Sequence, residues 1–337
     1  MPDLHHHFSL RSHNTFGVEI HAALFCHPKN LEELVSILEE QSPDEHSLLV
    51  IGEGSNILFQ NDFEGLVLHP AFMGIQLVQE ENDHVMVNVG AGENWDSWVA
   101  HATGRGWYGL ENLSLIPGSV GSAPIQNIGA YGVELREHFA WLDAYDLEKK
   151  EVVRMSREDC QFGYRTSIFK TGSGSRYIIT SVTFRLRTEP SLNLDYGNVK
   201  EEFSSSGGQN PGDLRDLIIS IRNRKLPDPS QFGNAGSFFK NPLVDMTIFK
   251  CIRAEYPDVP GHFSSNNRVK VPAAWLIEKA GWKGKRIGNV GNWPLQPLVV
   301  VNYGGATGRE ILDFTEQIRE DVDMKFGVEL EREVRVV

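Results

Sequence analysis

The stretch LIPGSVGSAPIQNIGAYGVEL, Leu115 to Leu135, decides how this sequence is read. Gly118, Gly121, Gly129 and Gly132 alternate with Ser119, Ser122, Ala123 and Ala130 among aliphatic residues. So much glycine disfavours helix and strand alike, and so much apolar surface disfavours a solvated loop. A buried loop leaves backbone N–H and C=O groups in need of partners. A bound phosphate chain and ring system would supply them, and a glycine loop packed tightly on itself is the plainer alternative.

Working outward, LVIGEGSNILF (Leu49 to Phe59) reads as a strand ending in Gly52-Glu53-Gly54-Ser55-Asn56 before a second apolar stretch. Two glycines, a hydroxyl and an amide let backbone N–H groups turn towards a phosphate, although an ordinary β-turn has the same composition. Downstream, FGYRTSIFK (Phe162 to Lys170) places Tyr164 beside Arg165, whose planar fork of donors suits a carboxylate or phosphate, although on this motif alone a surface arginine is the better reading. In GNAGSFFKNP, Gly233 to Pro242, Ser237 stands between small residues and two phenylalanines. That framing suits a hydroxyl in a dry pocket or, equally, a helix-capping serine. The terminal strand LEREVRV, Leu330 to Val336, puts Glu331, Glu333 and Arg335 on one face.

The frame around these segments mixes helices and strands, which gives an α/β or α+β class. Asn30 caps a helix to Glu40 with Glu33 at the capping-box position and Leu31, Leu34, Val35 and Leu38 on its apolar face. Strands are expected at Ser47–Ile51 and Val85–Val89, and a helix at Asn94–Thr103 with Trp95, Trp98, Val99 and Ala102 inward. Ala140 to Leu186 reads as strands with turns. Glu189 to Asp213 reads as a linker that contains LDYGNV, Leu194 to Val199. A helix capped by Asn210 follows, with Leu214, Leu217, Ile218 and Ile221 as its stripe. Further helices are expected at Pro272–Ala280 and from Gly308, capped by Thr307 with Glu310, and a strand at Leu298–Val301. Neither GxGxxG nor GxxxxGK[ST] occurs, so a Rossmann domain and a P-loop are excluded as the means of holding a nucleotide.

Composition narrows the classes further. The 337 residues are 40% hydrophobic and suit two or three globular domains. No apolar run reaches the ~18 residues that span a bilayer, and Met1 to Leu10 lacks the apolar core of a secretory signal. The net charge of −13 opposes nucleic-acid binding, so local cations must hold any anionic substrate. Cys26, Cys160 and Cys251 have no metal or disulfide spacing, which fits a cytoplasmic protein. His5, His6 and His7, taken as a free arm, make no metal site.

Taken in order, NTFG (Asn14 to Gly17), IGEGSN, IPGSVGSAPIQNIGAYG, FGYR, KLPDP (Lys225 to Pro229), GNAGSFFKNP and the final Glu333-Val334 resemble the UDP-N-acetylenolpyruvoylglucosamine reductase family, from about residue 10 to 336. The resemblance implies an FAD-binding domain of the vanillyl-alcohol-oxidase (PCMH) type in two subdomains, 1–70 and 71–209. A substrate-binding α+β domain would follow at 210–327, and the terminal strand 328–337 would rejoin the first subdomain. It implies noncovalent FAD cradled by Gly52, Glu53, Gly54, Ser55, Asn56, Pro117, Gly118, Ser119, Gly121, Ser122, Asn127 and Gly129. NADPH would reduce the flavin and leave, and a UDP-sugar enolpyruvate would then take the hydride in the same site.

By motif, Ser237 becomes the proton donor, and Arg165 and Glu333 the stabilisers of the enolic intermediate. Tyr131, Tyr164, Tyr196, Lys225, Asn241 and Gln296 become substrate contacts, with Tyr196 on a loop that folds over the substrate. The family's proline before the terminal glutamate is Arg332 here, and its histidine a few residues before Gln296 is absent. The expected partners are the UDP-sugar and NADPH, for a monomeric cytoplasmic chain with no metal, nucleic acid or membrane. Another FAD-dependent sugar or lactone oxidoreductase of the same fold is the alternative.

Overall fold

The computed structural model describes residues 3–42, 47–263 and 267–337; Met1 and Pro2, at the start of the stretch searched for a signal, lie outside these. The chain forms two compact units, Met1–Phe8, Ala22–Glu53 and Phe63–Arg222 in one, Ser9–His21, Gly54–Asp62 and Asn223–Val337 in the other. Two short N-terminal segments go with the C-terminal part, because Ile57–Leu58 pairs in parallel with Arg335–Val336.

In the first unit, a four-stranded sheet orders Leu4–Ser9, His21–Cys26, Phe63–Leu68 and Leu48–Val50 side by side. His5, His6 and His7 therefore belong to a strand and not to a free arm. Helix α1, Leu31–Gln41, starts at Asn30, whose side chain accepts from the Glu33 N–H at 2.9 Å. Glu33 reaches back to the N–H of Lys29 at 2.8 Å, one residue before the expected partner. Leu34 and Ile37 are buried, while Leu31 is exposed, so the apolar face is rotated from the expected one.

A five-stranded antiparallel sheet forms the larger layer: Glu151–Ser156, Phe139–Asp146, Tyr177–Arg187, His84–Gly90 and Ile75–Glu80. Val85, Val87 and Val89 point into its core, as period two requires. Helix α2, Trp95–Gly104, buries Trp95, Trp98, Val99 and Ala102 against it, the four residues read from the sequence.

The segment read as a linker contains helix α3, Val199–Ser205. Its Val199 and Phe203 pack with Leu214, Ile218 and Ile221 of helix α4, Pro211–Lys225. Two apolar residues in a Ser/Gly-rich tract gave no visible helical period, and their packing partner supplies the order.

In the second unit, Gly233–Ser237, Gln296–Asn302, Val290–Trp293 and Arg286–Ile287 form an antiparallel sheet. A smaller three-stranded sheet joins Leu243–Asp245, Arg268–Lys270 and His262–Phe263. Helices α5 (Met246–Glu255), α6 (Ala273–Lys279) and α7 (Gly308–Phe326) complete it. Thr307 and Glu310 cap α7 reciprocally, and Gly327 ends it in a left-handed conformation. Among the described residues no helix is long and apolar enough to cross a membrane.

Candidate active site

The Leu115–Leu135 segment is part of the first unit's core. Val120, Ala123 and Ile128 join the Trp95 and Phe184 cluster, and Val120–Gln126 forms a 3-10 helix. Its backbone is satisfied, by its own groups and by Ala91 and Glu93, more fully than its glycine content suggests. Val120 N–H donates to Glu93 O, Gly121 N–H to Ala91 O, and Ile128 N–H to Ala123 O. Ser122 Oγ donates to Ser119 O at 2.7 Å and accepts from the Ser119 N–H at 3.1 Å.

The other glycine turn carries unmatched donors too. The N–H groups of Gly52 and Glu53 donate to no group among the described residues. A Cβ on Gly52 would meet Ser119 Oγ at 2.7 Å, so the two turns touch there. The Glu53 carboxylate ties them further, accepting from Asn94 Nδ2 at 2.7 Å and from the Gly118 N–H, beside Pro117, at 3.1 Å. Two adjacent backbone donors without a partner, where this turn meets the serine-bearing one, fit the pyrophosphate of a dinucleotide, and these residues therefore suit FAD.

Arg165 sits in the left-handed region at φ 53°, as do Asn127 at 46° and Tyr131 at 47°. For residues with a Cβ this costs about 1–2 kcal/mol each, and such strain gathers where a side chain must be aimed. Asn127 is fully buried. Its amide donates to Glu134 and Gly163 O at 3.0 Å each and accepts from the Arg136 N–H at 3.0 Å. Asn127 thus holds the loop's shape. Arg165 Nη2 donates to Gly129 O, and its guanidinium stands 5.4 Å from the Tyr164 ring centre. Tyr131 meets Tyr196 edge-on at 5.8 Å, and Tyr196 is exposed on its loop.

Sequence reasoning missed Arg222. It lies on α4 one turn before Lys225, and its Nε has no partner. Burial lowers its hold on the proton, which neighbouring Tyr131 and Asp96 partly restore. The visible signal was a basic residue at the (i, i+3) position before a lysine already singled out.

In the second unit, Ser237 ends a strand with a local irregularity between Asn234 and Ser237. Gly236 makes it possible with φ 68°, its N–H donating to Asn234 Oδ1 at 3.0 Å. The next three residues run antiparallel to the C-terminal segment. Glu333 N–H donates to Phe238 O at 2.8 Å, and Lys240 N–H to Glu331 O at 2.9 Å. Ser237 and Glu333 are thereby brought onto neighbouring segments of the chain.

Asn56, of the turn Gly54-Ser55-Asn56, brackets Glu333. Its Nδ2 donates to Glu333 O at 3.2 Å, and its carbonyl accepts from the Arg335 N–H at 3.0 Å. Glu331 is exposed and paired with Lys240. Lys225 is exposed at the end of α4. Asn241 Oδ1 accepts from the Ala273 N–H at the start of α6 at 2.9 Å. Gln296 opens its strand opposite Trp293.

A phosphate-suited turn on a PCMH-type fold defines an FAD-dependent oxidoreductase. Residues 22–156 match the family model described as FAD binding domain, and residues 228–337 match the C-terminal domain of UDP-N-acetylenolpyruvoylglucosamine reductase. The chain is 44% identical to the UDP-N-acetylenolpyruvoylglucosamine reductase of Amoebophilus asiaticus over 99% of both chains. It is 46% identical to that of Pseudomonas aeruginosa over 98% of both. A solved UDP-N-acetylenolpyruvylglucosamine reductase from Thermus caldophilus shares the fold, with TM-score 0.69 and 22% identity over 100% of this chain and 98% of that one. The chain belongs to the UDP-N-acetylenolpyruvoylglucosamine reductase family.

Proposed function

We propose that the chain reduces UDP-N-acetylglucosamine enolpyruvate to UDP-N-acetylmuramate with electrons from NADPH, as a monomeric cytoplasmic step of peptidoglycan precursor synthesis. The observation that carries this reading is the placement of Ser237 and Glu333 on hydrogen-bonded neighbouring segments in a chain of this reductase family. Gly52, Glu53 and the turn around Ser119 would hold FAD, and bound there it would supply the hydride carrier between NADPH and the terminal carbon of the enolpyruvyl group.

Charge then develops on the adjacent carbon and its carboxylate. Arg165 and a protonated Glu333 donate hydrogen bonds to that charge, which stabilises it where it forms. The Ser237 hydroxyl gives its proton to the carbon; serine is a weak acid, but this carbon is a strong base. Lys225 holds the diphosphate of either ligand in turn, with Tyr131, Tyr164, Tyr196, Asn241 and Gln296 around the substrate.

FAD is held without a covalent bond, since no histidine or cysteine stands in a flavin-linkage motif. The test is an anaerobic stopped-flow experiment on flavin absorbance. NADPH should bleach the flavin and the enolpyruvyl sugar nucleotide should restore it. Flavin that bleaches but is not reoxidised by this substrate would reject the reading. Acid precipitation should release the flavin into the supernatant.

A further inference from the structure

The C-terminal segment is gripped by helix α7 immediately before Glu333. Arg332 Nη2 pairs with Glu316 Oε1, and Glu316 Oε2 pairs with Arg319 Nη1 at 2.7 Å. Arg319 continues the chain, with Nη2 on Glu329 Oε1 at 2.9 Å and Nε donating to Leu330 O at 3.1 Å. Glu316 and Arg319, one turn apart on α7, thus hold residues 329, 330 and 332 on one side. Glu316 is shared by two guanidiniums, so its loss would leave two cations facing each other.

Side chains alternate along this segment. Leu330 and Val334 are buried, and Arg332, between them, shares their face. Glu333 consequently points the other way, and a slip of one residue would turn it inward. Among the described residues, two backbone bonds, at Glu331 and Glu333, join the segment to Phe238–Lys240, and Phe239 stands opposite Arg332 between them. In an antiparallel pair flanked in this way, the Arg332 N–H points away from the neighbouring strand. Arg332, between two residues tied by their backbone, is thus held by its side chain and not by a bond of its own N–H.

We propose that Glu316, acting through Arg332 and with Arg319, is a positioning residue that sets the register and direction of Glu333. The proposal rests on Glu333 acting on the substrate as described above. The same geometry says what could replace the clamp. A proline at 332 would lose no strand hydrogen bond and would restrict φ to an extended-compatible value, stiffening the segment without Glu316.

The test uses the FAD-loaded enzyme and follows both half-reactions by stopped flow. Glu316→Ala should leave flavin reduction by NADPH unchanged and slow reoxidation by the enolpyruvyl substrate about ten- to a hundredfold, the scale of a displaced reacting group. Glu316→Gln, which keeps one acceptor, should fall between the two. Arg332→Pro should keep reoxidation near the parent rate and make Glu316→Ala silent in the double variant.

Unchanged reoxidation in Glu316→Ala, or equal slowing of both half-reactions, would overturn the proposal. If Arg332→Pro does not fold, Arg332→Gln should reproduce the Glu316→Ala defect, and failure to do so counts against the clamp. Glu333→Ala separates the two levels. If it reoxidises normally, the role of Glu333 itself is wrong; if it is slow while Glu316→Ala is normal, only the positioning role is.

Discussion

The backbone N–H of Glu333 donates to the carbonyl of Phe238 at 2.8 Å, and this bond ties the C-terminal segment to the residue that follows Ser237. Two residues nearly a hundred positions apart thus share one local frame within the second unit.

Ser237→Ala should leave flavin reduction by NADPH intact and slow the second half-reaction by about 10²–10⁴-fold, the usual reach of a general acid. Stopped-flow rates for both halves check it. Equal slowing of the two would make Ser237 a structural residue.

Gly236→Ala should lower stability by about 1–2 kcal/mol, the cost of a left-handed conformation for a residue with a Cβ. Open space surrounds that position, so strain and not collision is the cause. Denaturant unfolding reads the loss, and reoxidation should slow with it because the turn aims Ser237. A variant as stable as the parent would contradict the φ of 68°.

Lys225→Ala should weaken both NADPH and the sugar nucleotide, by about 1.5–3 kcal/mol each, as for a lost charge-assisted hydrogen bond. Dissociation constants for the two ligands should move together. A change in only one would rule out a shared phosphate contact.

Burial, with a smaller contribution from Arg187, pushes the pKa of His138 down to about 4. Its folded value lies below the unfolded one of about 6.5, so the unfolded chain binds the extra proton first. Stability from this group is complete above pH 6.5 and falls as the pH drops towards 4. The full shift corresponds to about 3 kcal/mol; the ring keeps some solvent contact, which brings the expected loss nearer to ~2 kcal/mol. Urea unfolding of the parent and of His138→Gln at pH 7 and pH 5 isolates the effect. A parallel decline in both proteins would remove His138 from the explanation.

Burial raises the thiol of Cys26 to about 11 and that of Cys160 to about 12, and neither is accessible. Cys251 is exposed. A thiol reagent at pH 8 should label one cysteine in the native protein and three after unfolding, because thiolate character and access set the rate. Rapid native labelling of Cys160 would mean that the first unit opens readily.

Much of the molecule is written locally. Asn30, Thr307 and Asn210 mark helix starts because capping joins residues three apart, and Trp95, Trp98, Val99 and Ala102 mark a buried face because a helix repeats every 3.6 residues. The motifs marked the two glycine turns and Ser237 as residue types in a fixed order. Helix α3 was not visible, since its order comes from packing against α4. The roles of Asn56 and Asn127 as backbone braces were not visible either, because an amide's partners lie far away in sequence.

The split of residues 9–21 and 54–62 from their chain neighbours belongs to the same class. So does the grip of Glu316 on Arg332, which in sequence is only two charges among many. Sequence by itself determined which groups are present and which short-range structures they favour, for those depend on spacings of two to four residues. Tertiary structure decided which of them meet, because that requires the chain to close long loops, and only the sum of many burials and pairings makes such closure favourable.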